Sequence, residues 1–277
     1  MNVKRFSVWV ALLAVEVAAQ PYAVGIRRQG MAGAGVAGGR DAEVLFANPA
    51  LLTQLHQFST AICYSHPFGL PDLHLASVAV AGSFAGLACG AGAIHFGDNT
   101  YHDQHVYLAL AKGFGKSSPS AAAFSLAMRR LFIEGYGTAT TFGVNLGTTF
   151  SLAPAIRAGV FLCNLNRPSL GEANEKLPLS ASAGIACALR SNWLLQVDIY
   201  REFGFAEELR AGVEVRALSK LLLRLGVATH PDRISAGFAL ELGQANVEMA
   251  ATSHSDLGIT QMYAIVLGEK GNGGRRK

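Results

Sequence analysis

Gly33, Ala34, Gly35, Val36, Ala37 and Gly38 spell GxGxxG, the spacing with which a glycine loop cradles a dinucleotide pyrophosphate. That chemistry needs an apolar strand before the loop, a long amphipathic helix after it, and an acidic residue about twenty positions on for the ribose. Here no strand-like run precedes the glycines, no long amphipathic helix follows, and Asp41 and Glu43 come too early. No cofactor is expected. Cys63, Cys89, Cys163 and Cys187 lie far apart in apolar runs without CxxC spacing, so zinc ligation has no support and no metal site is expected. They read as small apolar side chains, with oxidation of any close pair open to an exported protein. The eight histidines fall mostly in connections or at single strand positions, and neither HExxH nor GxSxG occurs. No catalytic residue is assigned; a Ser-His-Asn set gathered from separate strands is the enzymatic alternative that spacing leaves open.

The remaining chemistry is charge, and its placement depends on the elements that carry it. The chain has 277 residues, 51% hydrophobic and only 15% charged, where soluble domains carry about 25% charged residues. Mean hydropathy is +0.29, which excludes a disordered chain or a coiled coil. Residues 1–19 have a basic start at Lys4 and Arg5, an apolar stretch from Phe6 to Val15, and small residues ending at Ala19. This pattern predicts a secretory signal peptide, too short to span a bilayer. The signal and the tail at 269–277 hold six of the 23 basic and two of the 19 acidic residues, so the body between them is neutral. It has no basic face for nucleic acid.

No later segment is a transmembrane helix candidate. Instead, period-two alternation recurs in runs of about ten residues between Gly, Pro, Asn, Asp and Ser clusters. Strands are predicted near 56–66, 73–83, 86–97, 104–114, 120–133, 138–151, 155–165, 177–189, 193–203, 207–217, 220–229, 233–242, 245–253 and 257–268. About fourteen antiparallel strands of bilayer-crossing length, with an export signal and depleted charge, predict an all-β transmembrane barrel. Its connections alternate loosely between short turns and longer loops, and the longer ones are expected outside the cell.

Within the C-terminal strands one face reads Trp193, Leu195, Val197, Ile199, Leu209, Ala211, Val213, Val215, Leu221, Leu223, Leu225, Val227, Ile234, Ala236, Phe238 and Leu240, with no charge. The other face holds Asp198, Arg210, Glu214, Arg216, Arg224, Glu241 and Glu248, mixed with Gly212, Gly226 and Gly237. The apolar face is expected against lipid. Asp198, Arg210, Glu214, Arg224, Glu241 and Glu248 are then the expected lumen lining. They read either as a mutually paired network or as a solute-selecting surface, and near balance of sign favours the first. Arg129 and Arg130 are adjacent and predict a bulge or a strand end near the rim. Two aromatic girdles are expected, Phe58, Phe84, Phe114, Phe150 and Trp193 at the short-turn end, and Tyr64, Phe96, Phe132, Tyr136 and Tyr200 at the other.

Residues 20–55 precede the barrel predicted over 56–268 and are too glycine-rich at first for a strand. Asp41 to Phe46 is expected to form a helical turn or two. Asn48 can cap, and Pro49 start, a short helix through Leu52. A compact segment of this kind, held against the barrel wall, would plug it. Gly30-Met31-Ala32-Gly33-Ala34-Gly35-Val36-Ala37, Asp41-Ala42, Asn48-Pro49-Ala50 and the stretch from His254 to Gln261 resemble the FadL-like outer-membrane barrels and, within them, the PorV/PorQ-type proteins. The resemblance spans essentially the whole mature chain. It implies a fourteen-stranded barrel with an N-terminal hatch in its lumen, to which Gly30, Gly33, Gly35, Asn48, Pro49 and Ala50 would belong. It also implies the bacterial outer membrane, and either passage of fatty acids or other hydrophobic molecules or, for PorV-type members, service to type IX secretion. The expected partners are outer-membrane lipid and either hydrophobic small molecules or secreted proteins. Two departures stand out: the chain is shorter than typical FadL transporters, and it ends in GEKGNGGRRK rather than a terminal aromatic. Tyr263 is the expected substitute, from within the last strand.

Overall fold

The computed structural model describes residues 24–55, 58–115, 119–171 and 174–268. The expected signal peptide and basic tail lie outside the described residues. Fourteen strands close into one antiparallel barrel: β1 (Ser59–His66), β2 (His74–Phe84), β3 (Leu87–Gly97), β4 (Tyr101–Phe114), β5 (Ser120–Ile133), β6 (Gly137–Ala153), β7 (Ile156–Cys163), β10 (Ser180–Arg190), β11 (Trp193–Glu202), β12 (Glu208–Leu218), β13 (Leu221–Ala228), β14 (Arg233–Leu242), β15 (Ala245–His254) and β16 (Gly258–Gly268). Two-residue strands β8 (Ser169–Leu170) and β9 (Glu175–Lys176) pair within the loop between β7 and β10. Each barrel strand bonds its sequence neighbour, and β1 closes the ring on β16 from Ser59↔Gly268 to His66↔Gln261. Closure leaves no barrel strand edge unpaired, the condition for β-structure to cross a bilayer.

Alternation drives the fold. The outward Leu225 and Val227 on β13 and Ile234 on β14 are 60%, 55% and 67% exposed, whereas the inward Asp198 on β11, Glu214 on β12 and Arg224 on β13 are 2%, 3% and 4% exposed. Large aliphatic side chains forfeit about 1.5–3 kcal/mol each when left in water. A surface with the oil outside and the charge inside therefore requires lipid around it. The eleven residues of β2 advance about 33 Å at ~3.3 Å per residue, and a tilt near 40° leaves roughly 25 Å of height, the thickness of an outer-membrane apolar band.

Phe58, Phe84, Phe114, Phe150 and Trp193 ring the short-turn end with exposed side chains. The second girdle is only partly as expected. Tyr64 and Tyr136 are exposed, but Phe96 and Tyr200 are buried, because they share the inward parity of Ile94 and Asp198 on their strands. Height along the barrel put them in the girdle, but parity turns them inward. Arg129 and Arg130 form no bulge. β5 keeps unbroken register with both neighbours, so Arg129 turns in and Arg130 turns out.

Candidate functional site: the lumen and its N-terminal segment

Residues 24–55 run through the barrel as two single-turn helices, α1 (Ile26–Gln29) and α2 (Val44–Ala47), and a 3-10 helix over Pro49–Gln54. Asn48 caps the last: its side-chain oxygen accepts from the Ala50 N–H at 3.1 Å, and Pro49 occupies the first helical position, where its missing N–H costs nothing. The same amide donates to the carbonyls of Val36 (2.9 Å) and Thr148 (3.0 Å), joining two parts of the segment to β6.

Two kinds of contact hold the segment. On one side Leu45, Leu51, Leu52 and Ala50 pack on an inner wall of small residues, among them Ala79, Ala81, Ala109, Ala111, Ala121 and Ala123. On the other side the contacts are polar. The N–H groups of Gly35 and Val36 donate to one oxygen of Asp198 at 2.6 and 2.9 Å. Arg27 donates to both oxygens of Glu214 at 2.8 and 3.0 Å, and Arg224 bridges Glu214 (2.9 Å) to Glu248 (2.5 Å). Arg210 lies against Gly33, reaches Glu208 at 2.5 Å, and sets its guanidinium 4.2 Å over the Tyr200 ring; Glu208 also pairs with Arg233. Gly33 needs its glycine, since its φ of +90° is a left-handed conformation.

Asp198, Arg210, Glu214, Arg224 and Glu248 thus meet the segment or one another, and Gly30, Gly33, Gly35, Asn48, Pro49 and Ala50 are buried among them and the alanine wall. Glu241 does not join them. It forms a two-pronged pair with Arg216, 2.7 Å on each arm and about one-third exposed, toward the short-turn end.

Several participants escaped sequence reasoning. Gly226 and Gly212 face each other across β12 and β13, and a Cβ on either would strike Met31. An inward glycine inside a strand is the available signal for such an approach. Arg27, Arg28 and Glu43 sit in a segment without periodicity, where nothing in the sequence states which way they point. Glu43 accepts from the Ile26 N–H (2.8 Å) and the Cys63 thiol (2.7 Å). Burial, reinforced by the neighbouring Asp41 carboxylate, pushes it up to about 8.

Above the segment, toward the longer loops, lies a cavity of about 130 Å³. Phe46 and Ala47 of the segment face it from below, Leu177 and Pro178 from the loop between β7 and β10, and Tyr107 and Phe161 from the wall. Asp103, His105 and Tyr107 share one face of β4. Asp103 is clasped by Arg129 at 2.8–3.1 Å, and His105 lies 3.1 Å from it. Their i, i+2, i+4 spacing is legible in the sequence, but their pairing with Arg129 needs the register of β4 and β5. The four cysteines are free thiols, and among the described residues no group of three His, Cys, Asp or Glu could hold a metal. Among those residues, too, no helix is long and apolar enough to cross a membrane.

No family model matches the chain, and no curated protein matches its sequence. Solved structures do. The Ralstonia pickettii toluene transporter TbuX superposes with a TM-score of 0.66 at 13% identity, over 88% of this chain and 98% of that one. The P. putida toluene transporter TodX gives 0.63 at 13% identity, over 88% and 98%. A Pseudomonas aeruginosa FadL homologue gives 0.61 at 10%, over 87% and 97%. The fold is that of the FadL-type channels. At such identities only the fold is shared. What the geometry itself offers is a cavity between the loops and the N-terminal segment that could enclose a small molecule, with both aromatic and charged side chains in its lining.

Proposed function

We propose that the chain is a passive conduit of the bacterial outer membrane for small hydrophobic molecules, with residues 20–55 as a hatch that gates it. Solute enters from the longer loops, rests in the cavity, and passes toward the short-turn end when the segment shifts. The observation that carries this reading is the position of the cavity. It abuts a segment that is hydrogen-bonded to the wall rather than continuous with it, so opening breaks side-chain contacts and leaves the barrel ladder intact. The inward charges act as the hatch's fastening, and Gly30, Gly33, Gly35, Asn48, Pro49 and Ala50 let the segment turn and seat against the wall. No catalytic group is required.

Vesicles reconstituted with the protein test this through uptake of toluene. Deleting residues 25–52 should raise both uptake and single-channel conductance, and Asn48→Ala should raise them less, since it frees one anchor at a cost of about 1–3 kcal/mol for the groups left unpaired. Unchanged uptake and conductance after the deletion would refute gating. Cross-linking that recovers exported proteins, from a barrel that passes no solute, would instead favour the PorV-like secretion scaffold.

A further inference from the structure

Arg28 is the odd member of the lumen. The guanidinium lines the cavity, and its Nε and Nη2 share one acceptor, the Gly33 carbonyl, at 3.3 and 3.2 Å. Among the described residues no carboxylate lies within 4 Å of it, although Arg27, Arg129, Arg210, Arg224 and Arg233 each have one. The nearby acid, Asp198, gives one oxygen to the Gly35 and Val36 N–H groups, and its other oxygen, which has no hydrogen-bond partner among the described residues, acts on Arg28 only through its charge, from beyond 4 Å. Tyr200 and the cations Arg210 and Arg233 also face Arg28. Burial, together with Arg210, pulls it down to about 10, which leaves it a cation at neutral pH.

A guanidinium with a weak shared acceptor, lining a cavity inside the barrel, is a carboxylate site in want of its carboxylate. The rest of the cavity sets the size and character of what carries that group. About 130 Å³ is close to the ~150 Å³ in which an apolar protein cavity takes up benzene, so the cavity has room for one ring. Phe46 and Tyr107, ring centroids 5.4 Å apart and edge to face, together with Phe161, provide aromatic walls for such a ring. The other cations in the lining, Arg129 on β5 and Arg210 on β12, already hold Asp103 and Glu208, and the lining acid Glu202 accepts from the Tyr200 hydroxyl, so Arg28 alone is left to take a ligand's charge and one negative charge is accommodated, not two.

We infer that the cavity binds a single-ring aromatic monocarboxylate, ring against Phe46, Tyr107 and Phe161 and carboxylate on Arg28. This rests on the conduit reading and narrows it from hydrophobic molecules to aromatic acids.

Calorimetric titration of the detergent-solubilised full chain with benzoate and with its neutral isostere benzamide, at pH 7, tests it. Wild type should prefer benzoate by about tenfold or more, the effect of a charge-assisted bond. Arg28→Gln should erase that preference, and Arg28→Lys should keep part of it; heat-modifiable migration on gels certifies each folded barrel. Equal affinity of wild type for the two ligands, a preference that survives in Arg28→Gln, or binding of neither ligand overturns the inference. Toluene uptake by wild-type vesicles, measured in parallel, separates the two readings. If toluene passes but benzoate is not preferred, the acid specificity falls alone; if nothing passes, the conduit falls with it.

Discussion

Glu214 is the point where the polar core is most open to a single change. It accepts three charged hydrogen bonds, two from Arg27 in the segment and one from Arg224 on β13. Glu214→Gln keeps the shape and removes the charge. Arg224 retains Glu248, but Arg27, with a side chain only 6% exposed, has no second carboxylate within 4 Å among the described residues. A buried charge deprived of its partner costs about 3–5 kcal/mol, so the docking equilibrium of residues 24–40 should shift roughly 10²–10⁴-fold toward release. The barrel should not notice, because β12 and β13 are joined by backbone register from Arg210↔Ala228 to Leu218↔Leu221. Hydrogen exchange read by mass spectrometry should therefore show peptides within 24–40 exchanging faster by that factor, strand peptides unchanged, and channel openings more frequent. Adding Arg27→Met to the variant removes the orphaned cation and should restore most of the protection. Wild-type exchange of residues 24–40 in the folded Glu214→Gln barrel would refute the idea that this pair fastens the segment.

Two further predictions follow from other contacts. Gly226→Val drives a side chain into the Met31 backbone, so it should expel that turn and increase toluene uptake while the barrel stays heat-modifiable; uptake at the wild-type level would show that Met31 does not bear on the passage. Glu43 is raised to about 8 by burial and by Asp41, so the docked segment holds a proton that the exposed carboxyl would release near 4.5. Its stabilisation is complete below the ordinary carboxylate range and drains away as pH climbs to about 8. Exchange of residues 24–47 should accelerate between about pH 4.5 and 8, beyond the intrinsic rate, and follow the intrinsic rate above that, and Glu43→Gln should flatten that dependence; a slope unaltered in the variant would place the titration elsewhere.

What could be read from the sequence follows a physical divide. A strand that separates lipid from lumen must alternate, and so Leu223 and Arg224, neighbours in the chain, announce opposite sides without any knowledge of their partners. The same rule explains the errors. Phe96 and Tyr200 sit at girdle height but on the inward parity, and Arg129 and Arg130 needed only ordinary alternation, not a bulge. Asn48-Pro49 was legible for another reason, since capping is local chemistry written in two adjacent residues. Arg27, Arg28 and Glu43 were illegible because an aperiodic segment takes its directions from the wall it packs against. That Asp103 belongs to Arg129 depends on the register of two strands, a long-range property which alternation alone does not set.

The alanine face beneath Leu45, Leu51 and Leu52 has one more implication. A wall built of methyl groups projects little into the bore, so on that side the free space is not set by the cylinder. It is set by whatever occupies the axis. Residues 24–55 fill that space, and if they gate the barrel as proposed, trimming or enlarging one leucine there would re-gauge the route while every strand stayed as it is.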